Sequence, residues 1–446
     1  MILLNYLYFV IITLWGLAYL LRNNEPQMLT HPFNKRKKVP LDGTSSFWVL
    51  TFSTGLLALS APGGSIDLMA IRLLILEVFC IIGLIVSKRT CIWGFTATIY
   101  LLYLLWLVIG LWYTPDRAFG IRVILKYIYP FLIMLFASAA TWNQYILWKA
   151  SLNARKMAII SLVVFFVPGI FFLFPGVFWY GTAAAIHYIA ICIFSLALFH
   201  HTKDKRKNLI WAIIFAIPCI IWVFRTSIMG TIAAIMMFYF FKYKMKSLPI
   251  VAGIFILGVA AVFTIPSLKN KMFKGGGENI NMESFYAGQI STDDIQPNYR
   301  GFMWEWALKH HYKENEIIGT GTGDLQRDLY TSNVFGEQGI VHNDYIQILC
   351  DNGLIGLILY LLASLGIVFH SFIIYNKRGA PMALKICAIT SGATMFGMLF
   401  TLYSDNVVNY SMATLSYPWG FYGMALGLNR AFQKAPAKYT TLNNRR

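Results

Sequence analysis

The sequence predicts an all-α polytopic integral membrane protein of about 12 (11–13) transmembrane helices with one large external loop. Three observations predict this class. Of 446 residues, 58% are hydrophobic and only 13% charged, with a mean hydropathy of +0.60; a soluble domain carries about a quarter charged residues. Apolar runs of spanning length recur along the chain, each needing about 20 residues. Short basic clusters separate these runs, whereas acidic residues gather in one long polar stretch.

The candidate spans are, in order, 2–21, 47–62, 66–86, 91–113, 120–141, 158–176, 183–201, 208–224, 227–241, 248–265, 353–375, 382–403 and 413–432. The first run lacks a basic leader and a small-residue cleavage site, so it reads as a retained helix. The basic clusters are 35-KRKK-38, 88-KR-89, Lys149 with Arg155 and Lys156, 203-KDKRK-207, 242-KYKMK-246, 377-KR-378 and the terminal Arg445 and Arg446. With every cluster in the cytoplasm the spans alternate without contradiction, the N-terminus outside and the C-terminus inside. The net charge of +18 is therefore a topology signal, and no nucleic-acid partner is expected. The six cysteines show no C-x-x-C spacing, so neither a disulfide framework nor a metal knuckle is expected.

This reading divides the chain into N-terminal transmembrane helices (1–265), a large extracytoplasmic loop (266–345), C-terminal transmembrane helices (346–432) and a basic cytoplasmic tail (433–446). The loop holds 11 of the 19 acidic residues and 7 of the 37 lysines and arginines, which supports its external location independently. Within it, 299-YRGFMWEWALKHHYKEN-315 carries Phe302, Trp304, Trp306, Leu308 and Tyr312 in the pattern of a short helix on the membrane surface. The run 319-GTGTGDL-325 lacks the Lys-Ser/Thr of a P-loop and reads as a flexible turn, with a backbone nest for phosphate as the alternative. Residues 274–294 read as mobile.

Charges that break the positive-inside pattern carry the functional signal, because a charge within a bilayer costs a few kcal/mol or more. Arg72 and Glu77 in the third span read as a structural ion pair or as interhelical ties, and His187 as an interhelical donor. Arg122 and Lys126, at the outer end of the fifth, either snorkel toward lipid phosphates or serve a site. Arg225, in 221-IWVFRTSIMG-230, sits at a tight outer turn where helix ends offer free amides and a guanidinium matches phosphate oxygens. His342 stands at the doorstep of a span and can act as a base near neutral pH. No H-x-x-x-H, H-E-x-x-H or G-x-S-x-G occurs, so neither a metal nor another cofactor is expected. These residues leave three classes open: transfer from a lipid phosphate donor to a hydroxyl, a flippase or transporter of lipid-linked sugar, and a structural or sensor protein. The chain shows no repeated halves of the transporter kind.

The run 342-HNDYIQILCDNGLIGL-357 resembles the signature H-N-x-Y-[IL]-x-x-L-x-x-x-G-x-x-G-L of the O-antigen ligase and O-antigen polymerase family. Arg225 opening a span, Arg300 followed by W-x-W-A-L and 318-IGTGTGD-324, and Asp405 in 403-YSDN-406 are similar to further elements of that family. The resemblance covers roughly residues 180–430; the first 180 match only in hydropathy. It implies a GT-C-like, metal-independent, inverting glycosyltransferase in the bacterial inner membrane, with its active site facing the periplasm. The implied donor is an oligosaccharide on undecaprenyl pyrophosphate, and the implied acceptor is a sugar hydroxyl of another lipid-linked glycan or of the lipopolysaccharide core. His342 would be catalytic and Arg225 and Arg300 would bind the donor pyrophosphate. Arg122, Lys126, Asp344, Tyr345 and Asp405 would support the site, and Trp304 and Trp306 would stack on sugars or anchor the loop at the interface.

Overall fold

A chain that crosses lipid must satisfy its backbone hydrogen bonds within each segment, and an apolar helix does so. The computed structural model describes residues 27–31, 34–54, 68–166, 181–221, 225–273, 281, 283–284, 287, 300–332, 334–335, 340–412 and 414–434. The expected span 2–21 and the expected mobile segment 274–294, apart from its few described positions, lie outside them. Among the described residues, helices make up this fold except for one antiparallel hairpin, β1 (Gln27–His31) with β2 (Asn34–Leu41), which departs from the all-α expectation. It holds the cluster 35-KRKK-38, four adjacent cations that cannot continue a span.

The helices that follow are α1 (Gly43–Thr54), α2 (Leu68–Val86), α3 (Phe95–Gly110), α4 (Arg117–Ala140), α5 (Gln144–Phe166), α6 (Gly181–His201), α7 (Lys205–Ile221), α8 (Arg225–Tyr243) and α9 (Leu248–Thr264). After the short α10 (Pro266–Met272) come α11 (Arg300–Ala307), which runs on as a π-helical turn through Tyr312, and α12 (Asp324–Thr331). The chain closes with α13 (Asp344–Asn376), α14 (Met382–Leu402) and α15 (Ser416–Lys434). Among the described residues, Arg117–Ala140, Thr226–Thr264, Asp344–Asn376 and Met382–Leu402 are long and apolar enough to cross a membrane. The longer α13 contains a break at Gly353, where the expected span 353–375 begins. Helix α5 starts well before the expected span 158–176 and takes in Lys149, Arg155 and Lys156.

Helix α14 is the centre of the bundle and packs against α6, α8, α13 and α15. Small residues let α8 approach it closely: a Cβ on Gly397 would meet Gly230 O at 2.6 Å and Ala234 Cβ at 2.7 Å. Close backbone approach of this kind is how helices associate where lipid removes the hydrophobic drive. This seam sets the start of α8 beside the end of α14. Tyr100, Tyr103, Tyr127, Tyr360 and Trp419 fill the space between α3, α4, α13 and α15, with Tyr100 and Trp419 rings 4.4 Å apart. Helix α9 buries no residue and shows Phe255, Ile256 and Leu257 outward, a surface suited to lipid.

Direct contacts define two ends of the bundle. At one, Asp42 pairs with Arg89, Arg430 reaches Thr90, Lys377 reaches Asn429, Tyr375 reaches His201 and Lys242 reaches His200. At the other, Thr226, Arg300, His342, Asp344 and Lys126 all contact residues 404–409, and the 316–325 segment docks on α3 and α4. The described basic clusters thus gather at one end and the predicted site residues at the other.

Candidate active site

The turn 403-YSDN-406 organises the second end. It follows α14 directly, and Thr401 O accepts the amides of Ser404 at 3.1 Å and Asp405 at 3.0 Å, so the turn cannot drift. Ser404 O accepts Arg300 Nη1 at 2.5 Å and Thr226 Oγ1 at 3.3 Å, and Ser404 Oγ donates to Thr226 Oγ1 at 2.9 Å. Asp405 Oδ1 lies 3.3 Å from His342 Nδ1 and accepts the Asn406 amide at 2.9 Å. Segments far apart in sequence, the first turns of α8 and α11 and the lead-in to α13, therefore meet at two consecutive residues.

His342 has φ +51°, a left-handed conformation that costs a non-glycine residue about 1 kcal/mol or more. Neighbours on both sides hold it there. Trp304 Nε1 donates to Val341 O at 2.8 Å, and Asn343 caps α13 by accepting the Ile346 amide at 3.1 Å. The result aims a side chain that is 32% exposed at a carboxylate that is 7% exposed. A carboxylate on Nδ1 selects the tautomer protonated there and leaves Nε2 as the free basic nitrogen.

A buried polar network supports this pair from behind. Asp344 Oδ2 accepts the Val408 amide at 3.1 Å, while Asn406 Nδ2 donates to Asp344 Oδ1 at 3.2 Å and Gln347 Oε1 at 2.9 Å. Tyr345 OH donates to Leu399 O at 2.6 Å, which ties the start of α13 to α14. Asp344 and Tyr345 thus fix the frame around His342. Lys126 Nζ donates to Asn409 Oδ1 at 2.6 Å and so belongs to the same cluster of loops. Arg122 is exposed, with its guanidinium 5.5 Å over the Phe119 ring, and the structure does not bring it to this group. Arg225 opens α8 next to Thr226; its side chain lies outside the described residues.

The glycine run departs from the sequence expectation. It is neither a flexible turn nor an open phosphate nest, because its amides are already bonded. Thr320 N and Gly321 N donate to Cys350 O and Asp351 O, and Leu354 N and Ile355 N donate back to Glu316 O and Ile317 O. This pairing requires the helix break at Gly353, whose φ of +64° and ψ of −168° only glycine adopts readily. Gly323 N and Leu325 N donate to the Asp351 carboxylate at 3.0 and 2.9 Å, so Asp351 caps α12 from another helix. Trp304 and Trp306 pack into a small core with Met303, Leu325, Leu329, Val341 and Cys350, which gives them a structural task.

Outside the membrane spans, His311 joins α11 to α12. Its Nδ1 lies 3.2 Å from Asp324 Oδ2 and its Nε2 3.2 Å from Asp328 Oδ2, and Arg327 pairs with Asp324 at 2.8 Å. Burial pulls the imidazolium down, but the hydrogen bonds and charges of Asp324 and Asp328 prevail and hold it above its ordinary value. Burial pushes the Asp324 carboxyl up, and the His311 hydrogen bond, aided by Thr320 and Arg327, holds it below the usual carboxylate value.

Sequence reasoning missed Ser404, Thr226, Asn406 and Asp351. Asn406 is adjacent to Asp405 in the quoted turn, so it was in view; only its buried partners reveal its task. Inside the third span, Glu77 is buried, while the side chain of Arg72 lies outside the described residues. His187 is buried edge-on against Tyr417 at 4.6 Å, consistent with a packing role.

A comparison with curated proteins finds no match. Residues 224–361, which contain Arg225, Arg300 and His342 but end before Asp405, match the family model described as O-antigen ligase.

Proposed function

We propose that this protein transfers a glycan from undecaprenyl pyrophosphate to a sugar hydroxyl on the periplasmic face of the inner membrane, as a surface-polysaccharide polymerase. The His342–Asp405 pair, sharing its turn with Arg300, is the observation that carries this reading. In the proposed step, His342 Nε2 takes the proton of the acceptor hydroxyl as its oxygen forms the bond to the anomeric carbon. The bond from that carbon to the pyrophosphate oxygen breaks, its electron pair leaves with the pyrophosphate, and the anomeric centre inverts. Asp405 stabilises the imidazolium that forms, as a buried carboxylate does in hydrolase triads. Arg300 and Arg225 neutralise the leaving pyrophosphate; fixed charge aimed at a developing anion is often the largest catalytic term. No metal is assigned a role. The orientation follows from the charge pattern, which assigns the described basic end to the cytoplasm and the 266–345 loop to the outside.

The description of the matched family favours a second reading, a ligase that uses the same donor and site with a lipopolysaccharide-core acceptor. The test is reconstitution of purified protein with undecaprenyl-pyrophosphate oligosaccharide, with or without core acceptor, and with or without chelator. Longer lipid-linked glycan without added core supports polymerase; product only with core supports ligase. His342→Ala is expected to abolish product and spare donor binding. Full activity in that variant overturns the mechanism, and loss of product with chelator overturns the metal-free step.

A further inference from the structure

At the basic end, away from the site above, a cavity of about 230 Å³ lies between α3, α4, α13 and α15. Its apolar wall includes Ile92, Trp93 and Leu426, and its polar groups include His370, Tyr422 and Arg430. The polar pair is bonded within the protein: His370 Nδ1 lies 2.6 Å from Tyr422 OH, which donates to Thr96 Oγ1 at 3.2 Å. Arg430 is different. Its Nη1 donates to Thr90 O at 2.7 Å and Thr90 Oγ1 at 3.3 Å. Among the described residues no carboxylate pairs with it, and Asp42, the nearby acid, is held by Arg89. The rest of the Arg430 fork is left for an anion.

The surroundings decide which anion. Lys377 bonds Asn429, the residue before Arg430, and adds a second cation at this end, where Arg89 is already offset by Asp42, so the local charge is positive. Trp93 and Phe95, beside the cavity, are 50% and 71% exposed. An apolar surface of this kind next to a cation suits an amphiphile, not a soluble metabolite. The volume is below the roughly 300–1,000 Å³ of a drug-sized ligand pocket, enough for a headgroup but not a whole lipid. Basic pockets between helices on the cytoplasmic side are recurrent headgroup sites, because the anionic leaflet concentrates their ligand.

We propose that this cavity binds the phosphate headgroup of an anionic glycerophospholipid of the cytoplasmic leaflet, with Arg430 on the phosphate and acyl chains over Trp93 and Phe95. The assignment to that leaflet rests on the membrane orientation proposed above; the chemistry of the pocket does not rest on the transfer reaction.

The test titrates the full-length protein in neutral detergent with dioctanoyl phosphatidylglycerol, dioctanoyl phosphatidylcholine or inorganic phosphate, and reads the thermal midpoint. Phosphatidylglycerol is expected to raise the midpoint saturably, and the other two to leave it unchanged. Arg430→Gln is expected to weaken the phosphatidylglycerol response by roughly 10-fold or more, the loss expected for a hydrogen-bonded charge. Lys434→Gln, at an exposed cation of the same end, should respond as the wild type. If Arg430→Gln does not fold, Gly94→Phe replaces it. A Cβ at Gly94 meets no atom within 4 Å, so the ring has room at the cavity and is expected to block the lipid. An equal response to phosphatidylcholine, a full response to inorganic phosphate, or a wild-type titration in both variants overturns the proposal. Glycan transfer measured on the same samples separates the two readings: a lipid response without transfer removes the function and keeps the pocket, and transfer without a lipid response does the reverse.

Discussion

His342 Nδ1 and Asp405 Oδ1 lie 3.3 Å apart across 63 residues of chain. Asp405→Asn keeps the shape of this contact but removes the charge and allows the opposite tautomer. Transfer is expected to fall at least roughly 10-fold and at most about 10⁴-fold, the loss seen when a triad carboxylate is neutralised. The donor KM should stay near the wild-type value while kcat falls and the pH–rate profile moves. An unchanged kcat would show that Asp405 merely fills space.

Asn406 holds Asp344 and Gln347 together behind the site. Asn406→Ala strands both acceptors in a buried setting, at about 1–3 kcal/mol. The expected outcome is a lower unfolding midpoint in detergent together with reduced transfer, and a rescue of both by Asn406→Gln is not expected because the longer side chain shifts the amide. A midpoint equal to the wild type would remove Asn406 from the supporting network.

Gly353 lets α13 open so that the 316–321 segment can dock beside it. A Cβ there would meet Ile317 O at 2.2 Å, and the backbone angles suit glycine only. Gly353→Ala is expected to cost about 1–3 kcal/mol and to loosen the docked segment. Faster amide exchange at Thr320, Gly321 and Leu354 reports it; wild-type protection at these amides would contradict the account.

The His311 cluster makes α12 docking depend on pH. His311 is held above its ordinary value, so its contribution is complete below the unfolded pKa of about 6.5 and is lost as pH rises through the folded one. Asp324 is held below its ordinary value, so its contribution is present above about 3.9 and is lost as pH falls through the folded one. Protection of α12 amides should therefore be highest in mildly acidic solution and decline above neutrality. His311→Gln should flatten the alkaline decline, and a decline that persists in that variant would assign it elsewhere.

Much of the bundle was legible in the sequence because hydropathy is a local property. Apolar runs mark α2, α3, α4, α6, α7, α8, α9, α14 and α15 within a few residues, and α13 only from its break at Gly353 onward. The four candidate residues Arg225, Arg300, His342 and Asp405 were named through a resemblance, and the tertiary structure brings Arg300, His342 and Asp405 to one turn, with Arg225 adjoining it through Thr226. The glycine run was misread because its amide partners lie about 30 residues away, just before the helix break at Gly353. Arg122 and Lys126, four residues apart on α4, could not be told apart by type or position. Only the fold leaves Arg122 exposed and gives Lys126 to Asn409.

The sequence by itself determined which segments are apolar, where the cations cluster between them, and which polar residues stand at the ends of apolar runs. These follow from transfer free energies that each residue carries wherever it sits. The tertiary structure decided which nitrogen of His342 meets a carboxylate, that the Ser404 carbonyl receives Arg300, and that Asp351 caps a helix it does not belong to. Those are hydrogen bonds between distant segments, and their directions exist only once close helix packing has set the backbones in place.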